Sequence, residues 1–207
     1  MPIVLGLDLS QTRTGWAVLR HGSHAVYGHL EWPEWKNDEP RWLAEFHRTL
    51  QEWITLQDVT HIFYEETFLP TPRKVIGKRG KPIFKPSESF NTRFAQLALV
   101  AVTQMTAHEN NCDVQVARIR DWRERYIGTS QSPPSFGPGP ASTKWFKDQA
   151  VTASNLLGWM CHDHNEAEVL GIAHYGMCCV DPRYTENTQP HTNRMRKRFV
   201  ELMRGER

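Results

Sequence analysis

Asp8 closes an apolar run, "PIVLGLDL", and the paired acids Glu65 and Glu66 close another, "VTHIFYEE". A carboxylate in apolar surroundings is costly unless it is paired or holds a metal, so Asp8 is either a turn residue that escapes to solvent or a ligand. Acids at the ends of two neighbouring strands, facing one side, would make an oxygen-rich site of the kind that hard divalent cations such as Mg²⁺ or Mn²⁺ take. Two such ions roughly 4 Å apart stabilise both the attacking and the leaving oxygen of a phosphodiester. Adjacent strand residues point to opposite faces, so only one of Glu65 and Glu66 can join Asp8. Further along, "HDHNEAEV" places Asn165 three residues before Glu168, a spacing that by itself reads as a helix capping box.

The elements that would carry these acids follow from periodicity. Ile3 to Leu9, Gly15 to Arg20 and His24 to Leu30 read as three strands joined by tight connections, an antiparallel meander. In "RWLAEFHRTLQEWITL" the spacing of Leu43, Phe46, Leu50, Trp53 and Ile54 predicts an amphipathic helix. "VTHIFYEETF" is a fourth strand; Phe94, Leu97, Ala98, Ala101 and Met105 mark a second helix, and "DVQVARI" is a fifth strand. The Pro/Gly/Ser-rich stretch "GTSQSPPSFGPGPAST" interrupts regular structure and is expected to be mobile. Helices are predicted beyond it, from about Lys144 to Leu157 and from about Glu166 to Cys178. This order predicts an RNase H-like α/β fold: a mixed five-stranded sheet, three strands antiparallel and then two parallel, flanked by helices. In that layout the first and fourth strands are neighbours, and Asp8 converges with Glu65 or Glu66.

Composition narrows the classes. With 207 residues, 39% of them hydrophobic and 23% charged, the chain can bury one sizeable core and is too polar for a membrane protein. The apolar start is short, contains Asp8 and lacks a basic lead and a cleavage site, so no signal peptide is expected. Four cysteines, two of them adjacent, suggest no disulfide framework and fit a reducing cytoplasm. The net charge of +2 conceals an uneven distribution. Arg73, Lys74, Lys78, Arg79, Lys81 and Lys85 fall in an acid-free stretch, and the segment after Thr192 is also predominantly basic. Such runs are commonly solvated loops or tails; beside a phosphate chemistry site they become candidate nucleic-acid contacts. The expected organisation is a domain over 1–180 with a basic loop at 70–90 and a flexible segment at 128–143, followed by a basic tail over 181–207.

Three motifs together resemble the RuvC-type Holliday-junction resolvases. "GLDLSQTRTGWAV" is similar to their first strand, polar turn and second strand; "FYEETF" to their strand-borne catalytic Glu; and "DHNEAEVLGIAHYG" to the C-terminal helix that brings the remaining acids. With "VARIRDWRERYIG" and "KWFKDQAVTASNLLGW" between them, the series looks most like the phage and prophage branch, over roughly Ile3 to Gly176. Each motif alone is weak, but three in order are more specific.

The resemblance implies a structure-selective endonuclease that hydrolyses branched DNA, four-way junctions above all, with two Mg²⁺ or Mn²⁺ ions per site. It makes Asp8 the ligand shared by both metals and Glu65 the second ligand, preferred over Glu66 because it stands at the family's distance from Phe68. Glu168 stands where the family has Asp, and Asn165 where it often has Asp or His; Asp163 and His164 are then candidates for a further contact, with Glu168 the first choice and Asp163 the next. The resemblance also implies a homodimer, since a two-fold protein matches a two-fold junction. Trp122, beside Arg123 and Arg125, is a candidate for a sugar-phosphate edge, and Arg123 a candidate DNA contact. Two rivals stand beside this reading. One is a catalytically inactive branched-DNA-binding module; the other is an actin-like ATPase, for which the second phosphate-binding glycine turn and the length are lacking. "CHDH", with Cys161, His162 and His164, has no second ligand pair at zinc spacing.

Overall fold

The computed structural model describes residues 1–32, 39–67, 73–76, 82–85 and 90–204. Strands β1 (Ile3–Asp8), β2 (Arg13–Arg20) and β3 (Val26–Glu31) form the antiparallel meander. Helix α1 (Glu39–Gln57) carries the chain back to β4 (His61–Glu65), parallel to β1, and helix α2 (Phe90–Glu109) leads to β7 (Asp113–Ala117), parallel to β4. The sheet order is β3-β2-β1-β4-β7, the mixed five-stranded arrangement that the order of elements predicts. Helices α3 (Ile119–Tyr126), α4 (Pro140–Leu156), α5 (His164–Val180) and α6 (Pro182–Arg204) follow.

The central strand β1 is buried on both faces, so its residues divide by parity. Ile3, Leu5 and Leu7 enter the core formed with α1, where Trp42, Phe46, Leu50 and Ile54 make the buried helical stripe. Val4 enters the opposite core, built with α3, α4 and α5. Gly6 shares that face: a Cβ there would lie 2.6 Å from the backbone nitrogen of Ala173, so only glycine lets α5 rest this low on β1. Glycine serves the same approach from the helix side, where Gly176 lies against Phe63 and Val4.

Four elements depart from expectation. The 73–85 stretch, expected as a loop, contains an antiparallel hairpin, β5 (Arg73–Ile76) with β6 (Pro82–Lys85), in which the β-formers Val75, Ile76, Ile83 and Phe84 outweigh the charge. In α2 the period is right but the phase is not: Phe94, Leu97 and Met105 are 48, 51 and 48% exposed, while Ala95, Leu99, Thr103 and Ala107 are buried. A helix with apolar residues on every side gives no phase in its sequence. The 128–143 segment carries a 3-10 turn at Pro134–Phe136, whose Phe136 ring lies 6.3 Å from that of Trp145, and α4 begins inside it at Pro140. The expected tail is α6, packed on the domain through Tyr184, His191, Thr192 and Met195.

Candidate functional site

Asp8 ends β1 on the same parity as Val4 and Gly6, on the α5 side of the sheet. The parallel register pairs Leu7 with Tyr64, so one step on Asp8 stands beside Glu65. Glu65 shares the parity of Phe63, which is buried on the α5 side, whereas Glu66 follows Tyr64 to the α1 side. Strand geometry thus selects Glu65 as the neighbour of Asp8. Both line a cleft of about 320 Å³ at the sheet end, and Glu66, just past the strand, lines it too, with Gln96 and Ile119.

Glu168, on α5, does not line that cleft but lies close enough to Asp8 and Glu65 for their charges to act on one another. The first turn of α5 is fixed by a cap in which Asp163 Oδ1 accepts from the Glu166 N–H at 2.9 Å and Glu166 Oε2 accepts from the His162 N–H at 2.6 Å. This capping pair, and not Asn165 with Glu168, starts the helix, so Glu168 is released from any capping duty. Val169, the next residue, packs over Gly15 opposite Asp8, where a Cβ on Gly15 would touch both.

Crowding of three carboxylates shows in their protonation. Burial raises the pKa of Asp8, opposed by the Lys147 ammonium. Glu65 is pushed up to about 8, first by burial and then by the charge of Asp8, against the hydrogen bond from Trp122. Glu168 is pushed up to about 7 by burial and Asp8, against Lys147 and Arg123. Such mutual repulsion is relieved by a proton or by a cation.

Two cations and an indole border the acids. Trp122 Nε1–H donates to Glu65 Oε1 at 2.9 Å, and Lys147 Nζ lies 3.8 Å from Glu168 Oε2. The Arg123 guanidinium sits 4.2 Å above the Phe146 ring; burial lowers its pKa, opposed by Glu65 and Glu168. Sequence reasoning missed Lys147 altogether. Trp122, expected at a sugar-phosphate edge, is instead fully buried and holds Glu65; Arg123 faces the acids.

The remaining candidates lie elsewhere. Asp163 accepts from Glu166 and pairs with Arg13 at 2.7 Å; burial, which would raise its pKa, is outweighed by these partners and the carboxyl is held low. His164 is exposed, 4.0 Å from Asp148, and Asn165 occupies the first turn of α5. Arg73, Lys74 and Lys85 belong to the β5–β6 hairpin, while Lys78, Arg79 and Lys81 lie outside the described residues. Among the described residues no three His, Cys, Asp or Glu side chains are already arranged to hold a metal ion, and no helix is long and apolar enough to cross a membrane.

No family model and no curated protein matches the chain. Among solved structures, Thermus thermophilus RuvC matches with a TM-score of 0.56 and 14% identity, over 83% of this chain and 90% of that one. The T. thermophilus RuvC in complex with Holliday junction substrate matches with a TM-score of 0.58 and 12% identity, over 87% of this chain and 97% of that one. A putative sugar kinase from Cytophaga hutchinsonii reaches a TM-score of only 0.36, over 61% of this chain and 38% of its own, and carries no argument. At these identities the likeness is one of fold: the chain has the RuvC-like, RNase H-like α/β fold that its order of elements predicts.

Proposed function

We propose that the protein is a metal-dependent endonuclease that cleaves phosphodiester bonds of branched DNA, with four-way junctions as the preferred substrate. The observation that carries this reading is the convergence of Asp8, Glu65 and Glu168 from β1, β4 and α5 at one end of a RuvC-like sheet. The likeness to the phage and prophage branch rests on motif spelling alone.

The donor set fits hard divalent cations. All three groups are carboxylates, burial makes each of them a poor anion without a counter-charge, the charge of Asp8 adds repulsion at Glu65 and Glu168, and each has two oxygens. Trp122 and Lys147 approach only one oxygen of Glu65 and one of Glu168, which leaves the other for a ligand. Asp8, Glu65 and Glu168 would hold one or two Mg²⁺ or Mn²⁺ ions; Asp163, the next candidate, would first have to leave Arg13 and the α5 cap. When bound, the ions supply a lowered pKa for the attacking water and charge stabilisation for the departing 3′-oxygen. The protein's own groups orient and insulate. Trp122 fixes the Glu65 carboxylate, Arg123 and Lys147 add positive charge toward the incoming phosphate, and α5 fixes Glu168 relative to the sheet.

A homodimer is part of this reading. The exposed apolar stripe of α2, with Leu97, Ala101 and Met105, lies on the helix whose Gln96 lines the cleft, so a second copy packed there would put two sites on one junction. Arg73, Lys74, Lys78, Arg79, Lys81 and Lys85 are proposed phosphate contacts. A second reading, an inactive branched-DNA-binding module, is favoured by one observation: no three described side chains are already set to hold a metal.

One assay separates these readings. The protein is incubated with labelled four-way, flap and linear DNA in Mg²⁺, Mn²⁺ or EDTA, and separately with ATP. Metal-dependent cutting of the junction is expected. Tight junction binding without cutting in either metal would establish the binding module, and ATP hydrolysis without DNA cutting would overturn both.

A further inference from the structure

We infer that α6 presents a basic ridge that takes the phosphate backbone of a duplex arm leaving the cleft, an inference that rests on the branched-DNA reading above. Between Asn193 and Arg204 the helix carries Arg194, Arg196, Lys197, Arg198 and Arg204 against the single acid Glu201, in a chain whose formal net charge is only +2. All five cations are exposed. Among the described residues the only ion pair they make is Lys197 with Glu201, 3.9 Å apart on the helix surface. Exposed pairs of this kind contribute little, so the positive charge of the helix stays essentially uncompensated. Lys197 and Arg204 lie on the side away from the buried face of Tyr184, His191 and Met195, Arg194 flanks them with Glu201 between, and Arg198, one turn after Arg194, continues the stripe of Tyr184 and His191 beyond its buried part, where it is exposed.

The ridge is firmly mounted. The His191 ring Nε2 lies 3.2 Å from the Tyr126 carbonyl, and Thr192 Oγ1 donates to the Arg125 carbonyl at 3.2 Å. Gly128, with φ +87°, lies so close that a Cβ would stand 2.7 Å from the Arg196 nitrogen. The Phe199 ring is 6.0 Å from that of Trp145. These contacts fasten the basic half of α6 to α3, which carries Trp122 and Arg123, and to α4, which carries Lys147. The ridge is therefore held rigidly against α3, whose first residue, Ile119, lines the cleft.

A polyanion is the ligand that this arrangement suits. Guanidinium groups bind phosphate oxygens in bidentate fashion, and a row of them on a fixed helix follows a backbone without reading bases. Insertion of α6 into a lipid surface is disfavoured because Tyr184, His191 and Met195 are buried in the domain. An acidic protein segment would meet the same charges, but only DNA is continuous with a substrate in the cleft.

The test uses Arg194→Gln, Lys197→Gln and Arg198→Gln together, with Arg20→Gln plus Arg48→Gln, exposed cations of β2 and α1, as the control. Binding of a labelled four-way junction is measured by fluorescence anisotropy in EDTA over a series of salt concentrations, with melting temperatures alongside. The triple variant should keep its melting temperature, lose about tenfold or more in affinity, and show a log–log salt slope shallower by up to about 3. Trimming the junction arms to a few base pairs should abolish the difference. An unchanged slope in the triple variant, or an equal loss in the control, with the wild type binding normally, would overturn the ridge alone. Failure of the wild type to bind any DNA would overturn both readings.

Discussion

Trp122 on α3 and Glu65 on β4 are joined by one hydrogen bond, with the indole Nε1–H donating to the carboxylate Oε1 at 2.9 Å. The indole is fully buried and has this one polar atom, so the bond fixes both the rotamer and the charge preference of Glu65. Trp122→Phe keeps an aromatic ring in the core and deletes the donor. The Glu65 pKa should then rise above its present value of about 8, and the pH–rate profile should move to higher pH. The Mg²⁺ concentration for half-maximal cutting should rise by about tenfold, the scale of a hydrogen bond to a charged group. An unmoved profile would reduce the indole to core filling.

Asp8→Asn should abolish cleavage while leaving junction binding equal or tighter. Asp8 is the acid whose charge raises the pKa of both Glu65 and Glu168, so removing it lowers the repulsion toward phosphate as well as the affinity for metal. Cleavage of the junction by the variant at an undiminished rate would remove Asp8 from the chemistry.

Glu168→Gln should cut activity by orders of magnitude with no loss of melting temperature, because Asp163 and Glu166, not Glu168, cap α5. Glu168→Asp should keep substantial activity in Mn²⁺ or Mg²⁺. Full activity of the Gln variant would shift the ligand assignment to Asp163.

The raised carboxyl groups make metal-free stability fall as pH rises. Glu65 and Glu168 have ordinary pKa values of 4.5 and folded values of about 8 and about 7, so the folded state binds more protons across that interval. Their contribution is fully favourable below the unfolded value and is lost as pH climbs through the folded values. In EDTA the melting temperature of the wild type should therefore fall, relative to a Glu65→Gln, Glu168→Gln double variant, between about pH 5 and pH 8.5. Mg²⁺ at the upper pH should narrow the gap for the wild type alone. A constant gap across the range would show that these groups titrate normally.

The sheet and the pairing of its first and fourth strands were legible because strand alternation and element order are local rules. Alternation left Glu65 and Glu66 open, since it needs the register between strands, and the register that pairs Leu7 with Tyr64 puts Glu65 on the face of Asp8. What stayed hidden depends on phase and on distant packing. The apolar residues of α2 surround the helix, so nothing local says which of them are buried. Lys147 meets Glu168 only because α4 packs on α5, a relation without any sequence spacing of its own. Trp122 resembles a surface aromatic because arginines flank it on a helix. The helix α6 was hidden because its buried face uses Tyr184, His191 and Thr192, polar residues that hydropathy does not mark.

At Gly6 the backbone of β1 meets α5 at Ala173, whose backbone and methyl group leave no room for a side chain on the strand. Two carboxylates of the cluster are carried on opposite sides of that contact, Asp8 two residues along the strand and Glu168 about a turn and a half back along the helix. The contact works as the pivot of a pair of pliers: a shim of one methyl group at Gly6 would open the jaws at the acid end, with the sheet and helix themselves unchanged. Accuracy at the cleft is in this sense set by what is missing from the core, and the chain has little freedom to drift in size at that position while its acids keep their spacing.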